Sequence, residues 1–525
     1  MRVELRDSLE NLFPDSKVAR IPCRAMALDV ARGATAAVHL LVEGLAKGAE
    51  LRAGARDARG PVRAARWFRL LDVPVEQNTG LPSFTEAIHP GKINPHVIRR
   101  APFRTYDAME PAAGALRAKS ATVALRLELP VPPEARPGPR QVALEVSSGR
   151  QVQILKLTVR VCRAVVPPVG AGSFPYTNWF SYENIAGRHG LRPWSEPHWR
   201  MLRRYVELMA RARQNTFWVP FQTVFARRGG ALVLDRARLR RMVATFTGAG
   251  LHFIEGGHLA GRTGGVWKSP TFDAVMGGPM ATSGAGNAQL AAMAGQLREE
   301  IDARGWRARW LQHVADEPIA ENAAEYRILV GMVRKYLPGI PILDATMDPG
   351  LAGSVDIWCP QVHEYQKHRA GFEAQRRLGD RVWYYTCCSP GGPWLNRLLD
   401  QELLRPALLG WAGALFGLDG FLHWGLNHYR ADQDPFAKSV VPHGGNHFLP
   451  AGDTHVVYPG ADGPWSSLRL EAQREGFEDL ELLRVLGRRD PRAAARIVRR
   501  AVRSFDCYTR DVRVFRAARR ALLKA

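Results

Sequence analysis

The sequence predicts an α/β chain in which a (β/α)8 TIM-like barrel follows an antiparallel β-sandwich. Two observations predict it. Up to residue 168, short runs alternate apolar and polar positions between Pro- and Gly-rich turns, as half-buried antiparallel strands do. From residue 173 onward, eight short apolar runs alternate with helical segments, the order that builds a buried parallel sheet with helices outside it. The change falls at Val165-Val166-Pro167-Pro168-Val169-Gly170-Ala171-Gly172, which reads as a linker. A chain of 525 residues exceeds one ordinary core, so a division into a sandwich at 1–168 and a barrel with C-terminal strand and helices at 173–525 is expected.

In chain order, the strand signals of the first part are 25–43, 121–129 and 151–161, with the Pro-rich loop 131–139 between the last two. The barrel strands are placed at 174–179, 216–221, 252–256, 308–314, 341–345, 356–362, 381–386 and 420–425. Helices are expected at 197–212, 235–247, 287–303, 320–336 and 396–409. The fifth unit has room for only a turn of helix between 348 and 355. A Gly-rich stretch at 258–286 is too long for a plain connection and reads as a lid or binding loop. After a short strand at 453–459, a helix begins near Ser466 or Ser467, and two Arg-rich amphipathic helices follow.

Composition excludes several function classes. The net charge of +23 comes mainly from scattered Arg rather than from a basic motif, so no nucleic-acid partner is expected. Six cysteines without a CxxC pair argue against a disulfide framework and a structural zinc. No run approaches the roughly 20 apolar residues of a membrane helix, and the first residues lack the apolar core of a signal peptide. The chain as given reads as cytoplasmic, without a membrane partner; a trimmed secreted chain would look the same.

Barrel active sites lie at the C-terminal ends of the strands. The residues there are Asn178-Trp179, Gln222, His258, Asp316-Glu317, Thr346 to Asp348, His363-Glu364-Tyr365, Tyr384-Tyr385, His423-Trp424 and Asn427-His428. The set holds carboxylates, aromatics and amides, with no Ser-His-Asp arrangement and no clustered metal ligands, so neither a metal nor a cofactor is expected. Aromatic faces around carboxylates suit an oligosaccharide or glycoconjugate. Asp316-Glu317-Pro318 stands at the end of strand four. Two adjacent carboxylates split their pKa values and leave one protonated near neutrality, as a general acid requires. In regular β geometry they point to opposite faces unless a bulge turns both inward. Pro318 suits the first turn of a following helix. By itself the triplet also reads as a helix cap with an acidic first turn.

His313-Val314-Ala315-Asp316-Glu317-Pro318 resembles the active-site strand of the family 123 glycoside hydrolases and the related domain of unknown function 4091. Gly452-Asp453, Tyr458-Pro459-Gly460, Arg474-Glu475-Gly476 and Glu478-Asp479-Leu480-Glu481 look like the closing signature of that domain. The resemblance implies an exo-acting β-N-acetylhexosaminidase, with N-acetylgalactosamine favoured, that works by substrate-assisted catalysis. In that mechanism the 2-acetamido oxygen of the substrate attacks the anomeric carbon. Asp316 would orient the acetamido group and stabilise the oxazolinium, and Glu317 would act as general acid and then base. Tyr384 or Tyr385 would hold the acetamido carbonyl and Trp424 would floor the pocket. His363, Asn427 and Trp179 complete the substrate-binding candidates, while His423 reads equally as a core histidine. Arg469, Glu471, Arg474 and Asp479 are expected to form an ion-pair network around the last long helix. Two other readings remain. One is a two-carboxylate retaining glycosidase, for which Glu364 is the only nearby second Glu. The other is a non-catalytic carbohydrate-binding barrel.

Overall fold

A computed structural model describes residues 1–112 and 114–525. It is a mixed α/β structure. The first 165 residues form two sheets. One runs in the order Arg2–Asp7, Thr35–Glu43, Thr122–Pro130, Arg66–Val75, Phe103–Pro111. The other runs Ala25–Arg32, Gln151–Val165, Gly138–Ser148, Glu50–Asp57, Gly60–Pro61. Their ladders are antiparallel except for the pairing of Gln151–Val165 with Ala25–Arg32, which is parallel. Leu155, Leu157, Val159 and Val161 point inward at alternate positions of one sheet, and Val38, Leu40, Leu125 and Leu127 do so in the other; all belong to one apolar core.

Alternation predicts a solvated outer face for each sheet, and here the first sheet differs. Its strand Thr122–Pro130 is buried on both faces. The polar side lies under the helix Leu468–Arg489 and is satisfied by ion pairs. Arg126 pairs with Glu128 at 3.0 Å. Arg211 reaches both Glu128 and Glu471 at 2.6 Å. Arg469 donates to Asp107 at 2.9 and 3.0 Å and to the carbonyls of Arg397, Gly452 and His455. Arg474 bonds Glu471 at 2.8 Å and Glu478 at 2.5 Å, and Arg519 bonds Asp479 at 2.9 Å. The network expected of the closing signature is present, and it ties the helix to the N-terminal sheet as well as to the elements around it.

Eight parallel strands follow at the predicted places, each shorter than its apolar run: Tyr176–Asn178, Thr216–Val219, Phe253–Gly256, Trp310–Gln312, Leu343–Ala345, Ile357–Cys359, Arg381–Tyr385 and Gly420–His423. They hydrogen-bond as two curled sheets of three and five strands rather than as one continuous ring. One seam is closed by a single bridge, Gln312 with Ile342. At the other, Asn215 N donates to the Tyr176 carbonyl at 3.2 Å and the Asn215 side chain accepts from Tyr176 N at 2.9 Å, without a continuous ladder.

Three local expectations are corrected. Residues 396–403 are not helical, and the helix is Leu404–Phe416. The Asn396 and Arg397 side chains instead bind loop carbonyls. Strand 453–459 shrinks to Tyr458–Gly460, because residues 454–456 bond to the 426–428 segment. Pro318 does not open a helix. A 3-10 turn at Ala320–Asn322 precedes the helix Ala323–Tyr336, and the Asn322 side chain accepts from Ile319 N.

Arg469 is 3% exposed and makes more of the bonds at this junction than any other residue. Removing one partner of a buried ion pair costs about 3–5 kcal/mol, because the other charge is left uncompensated. Arg469→Leu is therefore expected to lower the urea midpoint by that much stability. Asp107→Asn, which keeps the shape but leaves the buried Arg469 charge uncompensated, is expected to cost a similar amount.

Candidate active site

The polypeptide leaves strand four at Gln312, four residues before the carboxylates. The intervening loop is pinned from both sides. Asp344, buried in strand five, accepts Val314 N at 3.0 Å, Ala315 N at 3.4 Å and the Tyr326 hydroxyl at 2.6 Å. The Val314 carbonyl accepts Leu259 N and Ala260 N at 3.0 Å. Glu317 then adopts φ +46°, a left-handed conformation that costs a non-glycine residue of order 1 kcal/mol. Arg262 spans this turn, donating to the Asp316 carbonyl at 3.1 Å and the Glu317 carbonyl at 2.5 Å. A left-handed residue, not a β-bulge, brings both carboxylates to one cavity.

Beneath the pair lies a buried chain of charge. His313 bonds Glu255 at 2.7 Å through Nε2 and Asp344 at 2.9 Å through Nδ1. Burial opposes its charge, but the hydrogen bonds to Asp344 and Glu255 outweigh burial and raise its pKa to about 9. Glu255 also accepts the Thr177 hydroxyl at 2.7 Å and Trp179 Nε1 at 2.8 Å. His258, His313 and Asp344 offer ligand atoms within 4.8 Å of one another. Both His313 nitrogens are already engaged, so a metal there would have to break the chain. His258 stays neutral: burial, then the His313 charge, push its pKa down to about 3. Its Nε2 lies 3.9 Å from Asp316 Oδ1.

The cavity of about 740 Å³ is lined by Asp316, Glu317, Trp179, Gln361, Tyr385 and Trp424, among others. Its volume falls in the range of about 300–1,000 Å³ usual for small-ligand sites. The Tyr385 hydroxyl donates to Glu317. Burial raises the Glu317 pKa to about 7, reinforced by the Asp316 charge and opposed by the Tyr385 bond. Asp316, half exposed to the cavity yet ringed by protein, is raised to about 6 by desolvation, against the His313 charge. The two titrate as a pair.

Of the other candidates, Trp179 and Trp424 line the cavity, Trp179 stacking on Trp218 at 4.6 Å. Tyr384 does not: it is fully buried on the opposite side of its strand and donates to the Leu409 carbonyl at 2.8 Å. Asn427 is also buried away from the cavity, tying Ser181 through its side chain and Asn184 through its carbonyl. His363 sits on the helix Val362–Lys367 against Glu364 and Trp394. Glu364 itself is surrounded by His363, Lys367 and His368 and is not among the lining residues. His423 is buried, with Nδ1 accepting from Gly425 N at 3.0 Å.

The sequence reading passed over a third carboxylate of the cavity, Asp453. It is fully buried, accepts Trp424 Nε1 at 3.2 Å through Oδ1, and has no hydrogen-bond partner for Oδ2 among the described residues. Gly425 admits it. A Cβ at 425 would lie 2.0 Å from the Asp453 carbonyl oxygen. Burial pushes the Asp453 pKa up to about 7, against the Trp424 bond and the Arg397 and Arg469 charges. Glu255 and Asp344, carboxylates inside otherwise apolar strands, were the signal in the sequence for the buried chain.

Residues 281–486 match the family model described as glycoside hydrolase 123, catalytic domain. A family 123 glycoside hydrolase from Clostridium perfringens, described for glycolipid glycan hydrolysis, aligns over 99% of this chain and 97% of its own. It does so at 12% identity with a TM-score of 0.74, a similarity of fold. An endo-β-1,4-mannanase from Thermotoga petrophila aligns over 59% of this chain and 78% of its own at 12% identity, with a TM-score of only 0.37. No curated protein matches.

Because folding holds the Asp453 proton more tightly than the unfolded chain does, this group contributes stability at low pH that is lost as pH rises from about 4 to 7. Asp453→Asn is expected to melt near the wild-type temperature at pH 4 and above it at pH 8, by calorimetry.

Proposed function

We propose that this glycoside hydrolase, whose residues 281–486 match the catalytic domain of family 123, releases a terminal β-linked N-acetylhexosamine, N-acetylgalactosamine in preference, by substrate-assisted retaining catalysis. The observation that carries this reading is the neighbouring pair Asp316 and Glu317 facing one cavity, both with raised pKa values. The end of strand seven contributes Tyr385 there, and no carboxylate. In this reading residues 1–168 form an accessory sandwich, and 173–525 a (β/α)8 barrel that is open along one seam.

The terminal sugar binds with its apolar face on Trp424. The acetamido oxygen attacks the anomeric carbon while Asp316 accepts the acetamido N–H and offsets the charge of the oxazolinium. Glu317, protonated near neutrality, gives its proton to the leaving oxygen, then takes one from the water that opens the ring. Tyr385, already bonded to Glu317, stands where the acetamido carbonyl would arrive; Tyr384 has no part. Asp453 Oδ2 accepts a sugar hydroxyl. The buried His313 cation holds the Asp316 side of the pair towards the ionised form.

A two-carboxylate mechanism would need Asp453 as its nucleophile, since Glu364 lies elsewhere. Its carboxyl, raised to about 7, is poorly suited to attack as an anion.

The aryl β-N-acetylgalactosaminide is expected to be hydrolysed, and its 2-hydroxy analogue to be cut at least about a hundredfold more slowly. Equal rates would end the substrate-assisted reading. Glu317→Gln should lose about 10²–10⁴ in kcat with a poor leaving group, and much less with a dinitrophenyl leaving group that needs no proton.

A further inference from the structure

The inner part of the cavity is acidic, but its rim is cationic and aromatic. Arg430 lines the rim, is exposed, and has no ion-pair or hydrogen-bond partner for its guanidinium among the described residues. His443 and His447 flank the turn of a hairpin, Val441–Pro442 with Phe448–Leu449, held closed by His443 N to the His447 carbonyl at 2.9 Å. Both imidazoles lean on Phe84, with ring centroids 5.6 and 5.1 Å apart. Phe84 arrives from the N-terminal sheet region in a left-handed conformation, φ +51°. It is locked by Phe84 N to the Cys388 carbonyl at 3.0 Å and Thr85 N to the Phe448 carbonyl at 3.1 Å. On the inner side, His428 packs on Trp424 at 5.3 Å. After burial, the Arg430 charge is the next cause lowering the pKa of His428 and of His443, so its charge is felt on both the inner and the outer side of the wall.

This wall runs from the floor of the sugar site to solvent. Asp453, Leu422 and Ala345 are buried at the closed end, while Trp267, Arg430, His443 and His447 are exposed at the open one. An exo-acting enzyme takes the terminal sugar into the closed end, so the next sugar lies against the exposed wall. An unpaired guanidinium with two imidazoles and an aromatic face is a receptor for an oxyanion.

We propose that this wall is a subsite for an anionic group, a carboxylate or a sulfate ester, on the sugar next to the one removed. The inference rests on the exo-acting reading for the direction of the substrate. The enzyme would then select acidic glycans, and the neutral aryl glycosides that report its chemistry would be poor models of its substrate.

The test is binding to the Glu317→Gln protein, which leaves ligands uncut and so does not depend on hydrolysis. The probes are three disaccharides with β-N-acetylgalactosamine on galactose, on galactose 6-sulfate and on glucuronate, titrated by calorimetry. At least one acidic probe is expected to bind about fivefold tighter than the neutral one, the yield of one exposed charge pair, and the sulfate and glucuronate arms tell the two sources apart. Adding Arg430→Met should bring the ratio to about one, as should high salt with Arg430 in place. Equal affinity for all three probes would overturn the proposal, and so would a preference that survives Arg430→Met.

Discussion

The structure depends on one buried arrangement, the imidazolium of His313 held between Glu255 and Asp344. Each member anchors a different strand or the loop leaving it. Glu255 sits on strand three and also holds Thr177 and Trp179 of the first unit. Asp344 sits on strand five and fixes the backbone that leads to Asp316 and Glu317. These are the strands that backbone bonding leaves in two separate curled sheets. Side-chain charge joins what the ladders do not. Breaking a buried ion pair costs several kcal/mol, which makes such a chain a stiff support for a site that must be positioned to a fraction of an ångström.

The same arrangement reconciles two demands on the acids above it. General acid catalysis needs a carboxyl that keeps its proton near neutrality, and burial in a low-dielectric cavity supplies that for Glu317. In the proposed mechanism Asp316, beside it, acts as an anion. The cation beneath opposes the rise of its pKa, whereas the Asp316 charge adds to the rise at Glu317. Adjacent residues of one type thereby take different protonation states from their surroundings, not from their sequence.

Much of this was legible in the residues. Apolar runs gave all eight parallel strands, and the Asp-Glu pair after the fourth stood out because barrel active sites lie at the C-terminal ends of the strands. What was not legible has a common cause. Strands of a parallel sheet are apolar on both faces, so the phase of Tyr384 and Tyr385 could not be read. One faces the helices and the other the cavity. Nor does a sequence announce that Glu317 turns left-handed. Asp453 escaped because a glycine more than two dozen residues upstream, Gly425, decides where it lies. The solvated outer face assumed for the first sheet failed because its cover comes from the far end of the chain.

That last feature has a consequence for how the protein is made. Arg211 and Glu471 are 260 residues apart, and Asp107 and Arg469 are 362 apart. At roughly 5–20 residues per second on the ribosome, Asp107 on the outer face of the N-terminal sheet would wait roughly 18–72 seconds for its partner helix to emerge. A waiting apolar face would collect other nascent chains. A face of Arg126, Glu128 and Asp107 waits in water at little risk, and closes only when the matching charges of the last helices arrive.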